Sequence, residues 1–316
     1  MTRLARAFLG LTALAPVGQV RAQFWLPLIL ASCAGSAHRP LSPTPRAATS
    51  GQAEGGSLDP TPAVDAFVMV HGLRMHYLRR GHGPALVLLH GGLTSAEACW
   101  SRTALPFFAA QFDVIAPDQL GQGRTNDDLT HPMGYHAMAE DTVELLGQLG
   151  VTRAVFVGWS DGGILALDIA MHHPVLATKI VASSANSDPG GAAPDVVAMF
   201  KTVPADSPLL KEARDAHARL SPDGPSHWPV LFERMRTLYM TEPQWTTADL
   251  ATIAAPTLII AGDHDAIRTE HTVQIAASIP GAELAILPNA GHGVPLDDPA
   301  RWDAVILRFL NEPAGR

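Results

Sequence analysis

The run Val155-Phe156-Val157-Gly158-Trp159-Ser160-Asp161-Gly162-Gly163-Ile164 decides how this chain folds. Val155, Phe156 and Val157 are β-branched and aromatic, the composition of a strand buried on both faces. Downstream, Ile164-Leu165-Ala166-Leu167-Asp168-Ile169-Ala170 reads as a largely buried helix. Between them lies Gly158-x-Ser160-x-Gly162. A strand that turns this sharply into a helix strains the residue in the turn, and glycine on either side removes the Cβ atoms that would block the fold-back. The pattern predicts a serine on a tight elbow, its hydroxyl exposed above a helix N-terminus. The free N–H groups and positive dipole end of that terminus suit an oxyanion. The same pentapeptide also fits an ordinary glycine-rich turn with an incidental serine, and the rest of the chain decides between the two.

Working outward, apolar strands alternate with helical segments. Residues 66–70 and 73–78 alternate apolar and polar side chains around His71-Gly72, as in an antiparallel hairpin at a sheet edge. The continuous apolar run at 85–89 predicts a strand buried on both faces, and 112–116, 154–157, 179–182, 256–261 and 282–287 read as further strands. Helices are expected over 97–110, interrupted near Pro106, and over 135–149, 271–278 and 302–310. This alternation implies an α/β fold, a mostly parallel doubly wound sheet with its ligand site at the carboxyl ends of the strands. Residues 186–250 break the rhythm with prolines, short helical pieces and aromatic residues, and are read as a helical lid inserted into the domain.

Every candidate polar group follows a strand. A serine hydroxyl needs a base, and the base needs an orienting group. His292, in Asn289-Ala290-Gly291-His292-Gly293, is the candidate base among fourteen histidines, because its flanking glycines allow a loop that turns the ring inward. In Gly262-Asp263-His264-Asp265 two carboxylates compete for the orienting role. Asp265 lies farther from the strand end and is favoured, whereas Asp263 suits bonding the backbone of its own loop. The oxyanion donors are expected to be the N–H groups of Asp161 and of Gly92, in His90-Gly91-Gly92-Leu93. Trp159, Trp228 and Tyr239 are candidate substrate contacts. An acidic side chain directly after the serine opposes an oxyanion, so Asp161 is expected to point its carboxylate away.

Composition closes other routes. A net charge of -8 without basic clusters argues against nucleic acid. Two cysteines are too few for a disulfide framework, and Cys99 is expected to be a buried thiol in or beside the first helix of the domain. No metal or organic cofactor is implied: there is no HExxH or paired-cysteine pattern, and His172-His173-Pro174 reads as a helix end. The first 33 residues read as a signal peptide, with Arg3 and Arg6 ahead of two short apolar segments. Leu30-Ala31-Ser32-Cys33 resembles a bacterial lipobox, which implies cleavage before Cys33, lipid on its sulfur and attachment to a membrane of the cell envelope. Cleavage after Ala22, or an extension from an upstream start codon, are the competing readings. Residues 34–63, rich in Pro, Ser, Thr, Gly and Ala, read as a disordered linker ahead of a domain over 64–316.

The order His-Gly-Gly, Asp-x-x-Gly-x-Gly-Arg (118–124), Gly-x-Ser-x-Gly-Gly, insertion, Gly-Asp-x-Asp and Gly-His resembles the α/β-hydrolase superfamily over residues 66–310. Within it the chain is most similar to small serine esterases, enol-lactonases and cofactor-free haloperoxidase-like enzymes. The resemblance implies a Ser160–His292–Asp265 triad acting on a carboxylic ester or lactone, and gives the 118–124 loop a structural role. Haloalkane dehalogenases and epoxide hydrolases differ in carrying an aspartate at the elbow. Perhydrolysis, carbon–carbon bond hydrolysis and a ligand-binding receptor on the same fold are the alternatives. The aromatic insertion implies a small substrate with apolar bulk.

Overall fold

The computed structural model describes residues 62–312. The segments expected to be a signal peptide and a linker, with Cys33, fall within residues 1–61 and lie outside the described residues. Eight strands form one sheet: β1 (Val64–Val70), β2 (Leu73–Arg80), β3 (Ala85–Leu89), β4 (Asp113–Pro117), β5 (Ala154–Trp159), β6 (Ala177–Ser183), β7 (Thr257–His264) and β8 (Glu283–Gly291). Their spatial order is β1-β2-β4-β3-β5-β6-β7-β8. The β1–β2 and β2–β4 pairs are antiparallel and all others are parallel. From β3 the chain crosses to β4 on one side and then to β5 on the other. The carboxyl ends of β3 and β5 therefore flank a crevice at the point where strand order reverses, where ligands bind in such sheets.

Side-chain alternation divides the core in two. Leu86 and Leu88 of β3 face one side with Val155 and Val157 of β5, and Val87 and Leu89 face the other with Phe156. The first face is covered by α1 (Ala96–Trp100), α2 (Ala104–Phe108) and α11 (Pro299–Asn311), where Trp100 stacks on Trp302 at 5.7 Å. The second is covered by α3 (Tyr135–Gln148), α4 (Asp161–His172) and the stretch between β6 and β7. Burying each such Leu, Ile or Phe contributes roughly 1.5–3 kcal/mol, so the elbow between β5 and α4 sits on a base packed from both sides.

The single interrupted helix expected over 97–110 is two helices, with the break at residues 101–103 and not at Pro106. Pro106 is buried as the third residue of α2, where a missing N–H costs nothing because first-turn donors lack intrahelical partners. Cys99 is buried in α1. Residues 184–256 leave the sheet after β6 and carry α5 (Pro194–Thr202), α6 (Lys211–Leu220), α7 (Trp228–Thr241) and α8 (Thr247–Leu250) before returning to β7. Among the described residues the remaining α-helices are α9 (Thr269–Ser278) and α10 (Val294–Asp297). Among the described residues, no helix is long and apolar enough to cross a membrane.

Candidate active site

Ser160 caps α4 with φ 55° and ψ -119°, a left-handed conformation costly for a residue with a Cβ. It is held there from both sides. Its N–H donates to the Ser183 carbonyl at 2.8 Å, and its own carbonyl accepts from Gly163 and Ile164. The flanking glycines are obligatory: a Cβ on Gly158 would lie 2.0 Å from the Gly162 carbonyl oxygen, and one on Gly162 would lie 2.1 Å from that of Leu89. The N–H groups of Asp161 and Gly162 open the helix, where no intrahelical acceptor exists.

Two turns at neighbouring strand ends meet this serine. His292, directly after β8, is buried and brings Nε2 to 3.0 Å from Ser160 Oγ. Its Nδ1 lies 2.7 Å from Asp265 Oδ1, which fixes the tautomer with Nδ1 as the donor and Nε2 as the acceptor. Its carbonyl accepts from the Trp159 indole at 2.7 Å, tying the His292 loop to the end of β5. The fully buried Asp265 side chain also accepts from Ser184 Oγ at 2.6 Å and from the Ile267 N–H at 3.0 Å. Burial pushes the Asp265 carboxyl up, but His292 and these donors outweigh it and hold the group below its ordinary value, so it is ionised.

Asp263 does not reach the histidine. It accepts from the Ala290 N–H of adjacent β8 at 3.1 Å, so besides bonding backbone of its own segment it pins the neighbouring strand. The reason is the length of β7, which continues to His264 and leaves Asp265 as the first residue past its end.

The loop after β3 is also fixed internally. His90 Nδ1 donates to the Gly91 carbonyl at 2.6 Å and Nε2 accepts from the Gln119 N–H at 3.0 Å. Burial lowers the His90 pKa, which keeps the ring neutral for both roles. The Leu93 N–H is taken by Gln122 Oε1 at 2.6 Å. Asp118 serves the scaffold: its carboxylate accepts from the Ala96 and Arg124 N–H groups and from His76 Nδ1.

These groups open onto a cavity of about 110 Å³ lined by Gly92, Ser160, Asp161, His292, Ile267 and residues of the 184–256 stretch. A second cavity, lined by Leu93, Gln122, His217 and Trp228, holds only about 10 Å³ and reaches none of Ser160, Asp265 and His292.

A model of the alpha/beta hydrolase family matches residues 86–305, which takes in the elbow, the cavity and all three hydrogen-bonded residues. The chain belongs to this family. Among the curated relatives of this hydrolase is RutD of Stutzerimonas stutzeri, named as a carbamate hydrolase. It is 30% identical over 274 residues, covering 77% of this chain and 98% of the relative. Among solved structures, Est816, described as an N-acyl homoserine lactone degrading enzyme, is 28% identical with a TM-score of 0.63. That match covers 78% of this chain and all of the other. The enol-lactonase of Burkholderia xenovorans, at 21% identity and a TM-score of 0.61, covers 78% of this chain and all of its own, and shares the fold.

Within the hydrolase cavity one expectation is reversed. Asp161 does not point its carboxylate away. Oδ1 accepts from the Tyr135 hydroxyl at 3.1 Å, and the Tyr239 hydroxyl supplies a further hydrogen bond. Both groups fill the space that a Cβ on Gly92 would occupy, at 2.4 Å for Asp161 Oδ2 and 2.0 Å for the Tyr239 oxygen. Gly92 therefore makes room for a carboxylate on the cavity wall. Burial raises its pKa to about 6, against the opposing pull of the tyrosines and His292.

Trp159 and Tyr239 line the cavity, as proposed from sequence, but Trp228 does not. Trp228 is buried against Phe232 with its indole donating to the Ala205 carbonyl, so it holds the 184–256 stretch together. Tyr135, Phe200 and Glu242 line the cavity without having been anticipated. Tyr135 opens a helix whose apolar stripe reads as core, and its N–H donates to Glu242, 107 positions away.

Proposed function

We propose that the chain is a serine hydrolase of carboxylic esters or lactones. His292 accepts the Ser160 proton as Oγ attacks the carbonyl carbon. The oxyanion is stabilised by the N–H groups of Asp161 and Gly92, the Leu93 N–H being committed to Gln122. His292 then protonates the leaving alcohol. Water, activated by the same imidazole, cleaves the acyl-enzyme and releases the acid. Asp265 orients the ring and stabilises its cationic form. The observation that carries the reading is the continuous Ser160–His292–Asp265 chain at 3.0 and 2.7 Å, opening into the larger cavity. Helices α5 and α7 act in this reading as a lid, with Phe200 and Tyr239 giving it an apolar and aromatic lining.

Asp161 narrows the substrate. An ionised carboxylate beside the Gly92 loop disfavours an oxyanion unless something offsets it. A substrate that carries an N–H donor or an ammonium near its carbonyl would turn that cost into binding. The similarity to RutD makes a carbamate, whose nitrogen is such a donor, the second reading. The test is a panel of p-nitrophenyl esters, an amino-acid ester, a lactone and a carbamate, run on the full chain beside Ser160→Ala. Turnover of the carbonyl substrates, strongest for those bearing the amine and abolished in the variant, is the expected result. Turnover that survives Ser160→Ala would refute the serine mechanism.

A further inference from the structure

On the face of α4 away from the cavity, the side chains of His136, Asp168 and His172 converge. His136 belongs to α3, and Asp168 and His172 lie one turn apart on α4. His136 Nδ1 lies 2.9 Å from Asp168 Oδ1, and His172 Nδ1 lies 3.2 Å from the same oxygen. The two rings are 4.5 Å apart between centroids, and the three ligand atoms lie within 4.8 Å of one another. The carboxylate is 2% exposed, whereas the imidazoles are 59% and 47% exposed. None of the three lines the cavity, and Asp168 lies about 12 Å along the helix axis from Ser160.

We propose that this cluster binds a divalent transition-metal ion of the zinc, cobalt or nickel type. Two imidazole nitrogens and one carboxylate oxygen form the donor set that suits these ions. In a tetrahedral zinc site with bonds of about 2.0–2.1 Å, neighbouring ligand atoms are roughly 3.3–3.5 Å apart. The observed 2.9 and 3.2 Å, with all three donor atoms inside 4.8 Å, call for modest rotations of the two half-exposed rings. The ion would replace the proton between His136 Nδ1 and the Asp168 carboxylate and the one that His172 Nδ1 now donates to the Asp168 backbone carbonyl at 2.9 Å. The half-exposed histidines leave the remaining positions to water. Burial on a packed helix fixes Asp168, so the site is anchored on one side and open on the other. Because the ligands come from two helices, the ion would clamp α3 to the helix that carries the elbow. His173 and Glu140 already join the same helices at 2.6 Å one turn on, but they supply only a pair. Sequence inspection stops at His172-His173-Pro174 as a helix end because the third ligand lies 36 positions earlier on another helix.

The test is titration of the full chain, purified without a histidine tag and stripped with chelator, with Co²⁺ followed by its visible d–d absorption and with Zn²⁺ followed by calorimetry. One equivalent should bind, and Zn²⁺ at a hundredfold excess over Kd should raise Tm by roughly 5–10 °C. His136→Gln and His172→Gln, both at exposed positions, should each weaken binding by at least about 10–100-fold. His173→Gln should leave it unchanged. Absence of binding to the unmodified chain, retention of affinity in either ligand variant, or equal loss in His173→Gln would overturn the proposal.

Discussion

The cavity has two sides that are built differently. On the sheet side, Ser160, Asp265 and His292 sit on turns directly after β5, β7 and β8, and each is held by several hydrogen bonds to its neighbours. On the other side, residues 184–256 present Val196, Val197, Phe200 and Tyr239, from helices packed by apolar contact. Helix α5, which supplies three of these four, has no fully buried residue. The two buried carboxylates follow the same division. Asp265 is surrounded by donors and held ionised, whereas Asp161, for which two tyrosine hydroxyls and the charge of His292 do not outweigh burial, is pushed up to about 6. The difference teaches that hydrogen bonds fix the side chains at the strand ends, whereas apolar packing sets the wall that the insertion contributes.

The largest effect should come from breaking the sheet side. Asp265→Asn keeps the shape but reverses the hydrogen bond to His292, and kcat should fall by up to roughly 10⁴-fold. Asp263→Asn, which bonds backbone of β8 and not the histidine, should cost less than about tenfold. Steady-state kinetics on one ester with both variants checks this, and the opposite ranking would reassign the acid.

Asp161→Asn sharpens the contrast between the two carboxylates. Above pH 6 it should lower kcat/KM for an amine-bearing ester by about 10–100-fold, the loss of one charge-assisted contact. A neutral ester, which has no such contact to lose and is relieved of the charge facing its oxyanion, should be turned over at least as fast as before. The sign for stability runs the other way. The folded pKa of Asp161 is raised, so as pH climbs from about 4 to 6 the unfolded chain ionises first and the fold loses stability, up to about 3 kcal/mol above that window. Thermal melts should therefore show Asp161→Asn more stable than the parent at pH 8 and equal to it at pH 4.

Trp228→Ala should have the smallest effect on catalysis. Removing this fully packed side chain should cost about 3–5 kcal/mol of stability by denaturant titration. Below the melting range, KM should stay within about twofold across substrates, because the indole faces Ala205 and Phe232 rather than the cavity.

The sheet side was legible in the sequence because its signals are local. Apolar-rich runs mark strands, glycines mark the turns after them, and the hydrogen-bonded Ser160, His292 and Asp265 fall at those turns. The order Ser160, Asp265, His292 could be read without knowing any distance, and so could the preference for Asp265 over Asp263. What was not legible depends on contacts between distant segments. The direction of the Asp161 carboxylate is set by Tyr135 and Tyr239, on two other helices. Trp228 looks like any aromatic lid residue until its packing is seen. Tyr135 carries the signature of a core position, and only the tertiary fold turns its hydroxyl onto Asp161.

The central claim, a covalent intermediate on Ser160, is tested most directly by treating the full chain with a fluorophosphonate and mapping the adduct by mass spectrometry while ester hydrolysis is followed. One equivalent should add to the peptide containing Ser160, at the same rate at which activity is lost, and Ser160→Ala should neither label nor turn over. Hydrolysis that continues with Ser160 unmodified, or an adduct on another residue that alone abolishes activity, would contradict the account.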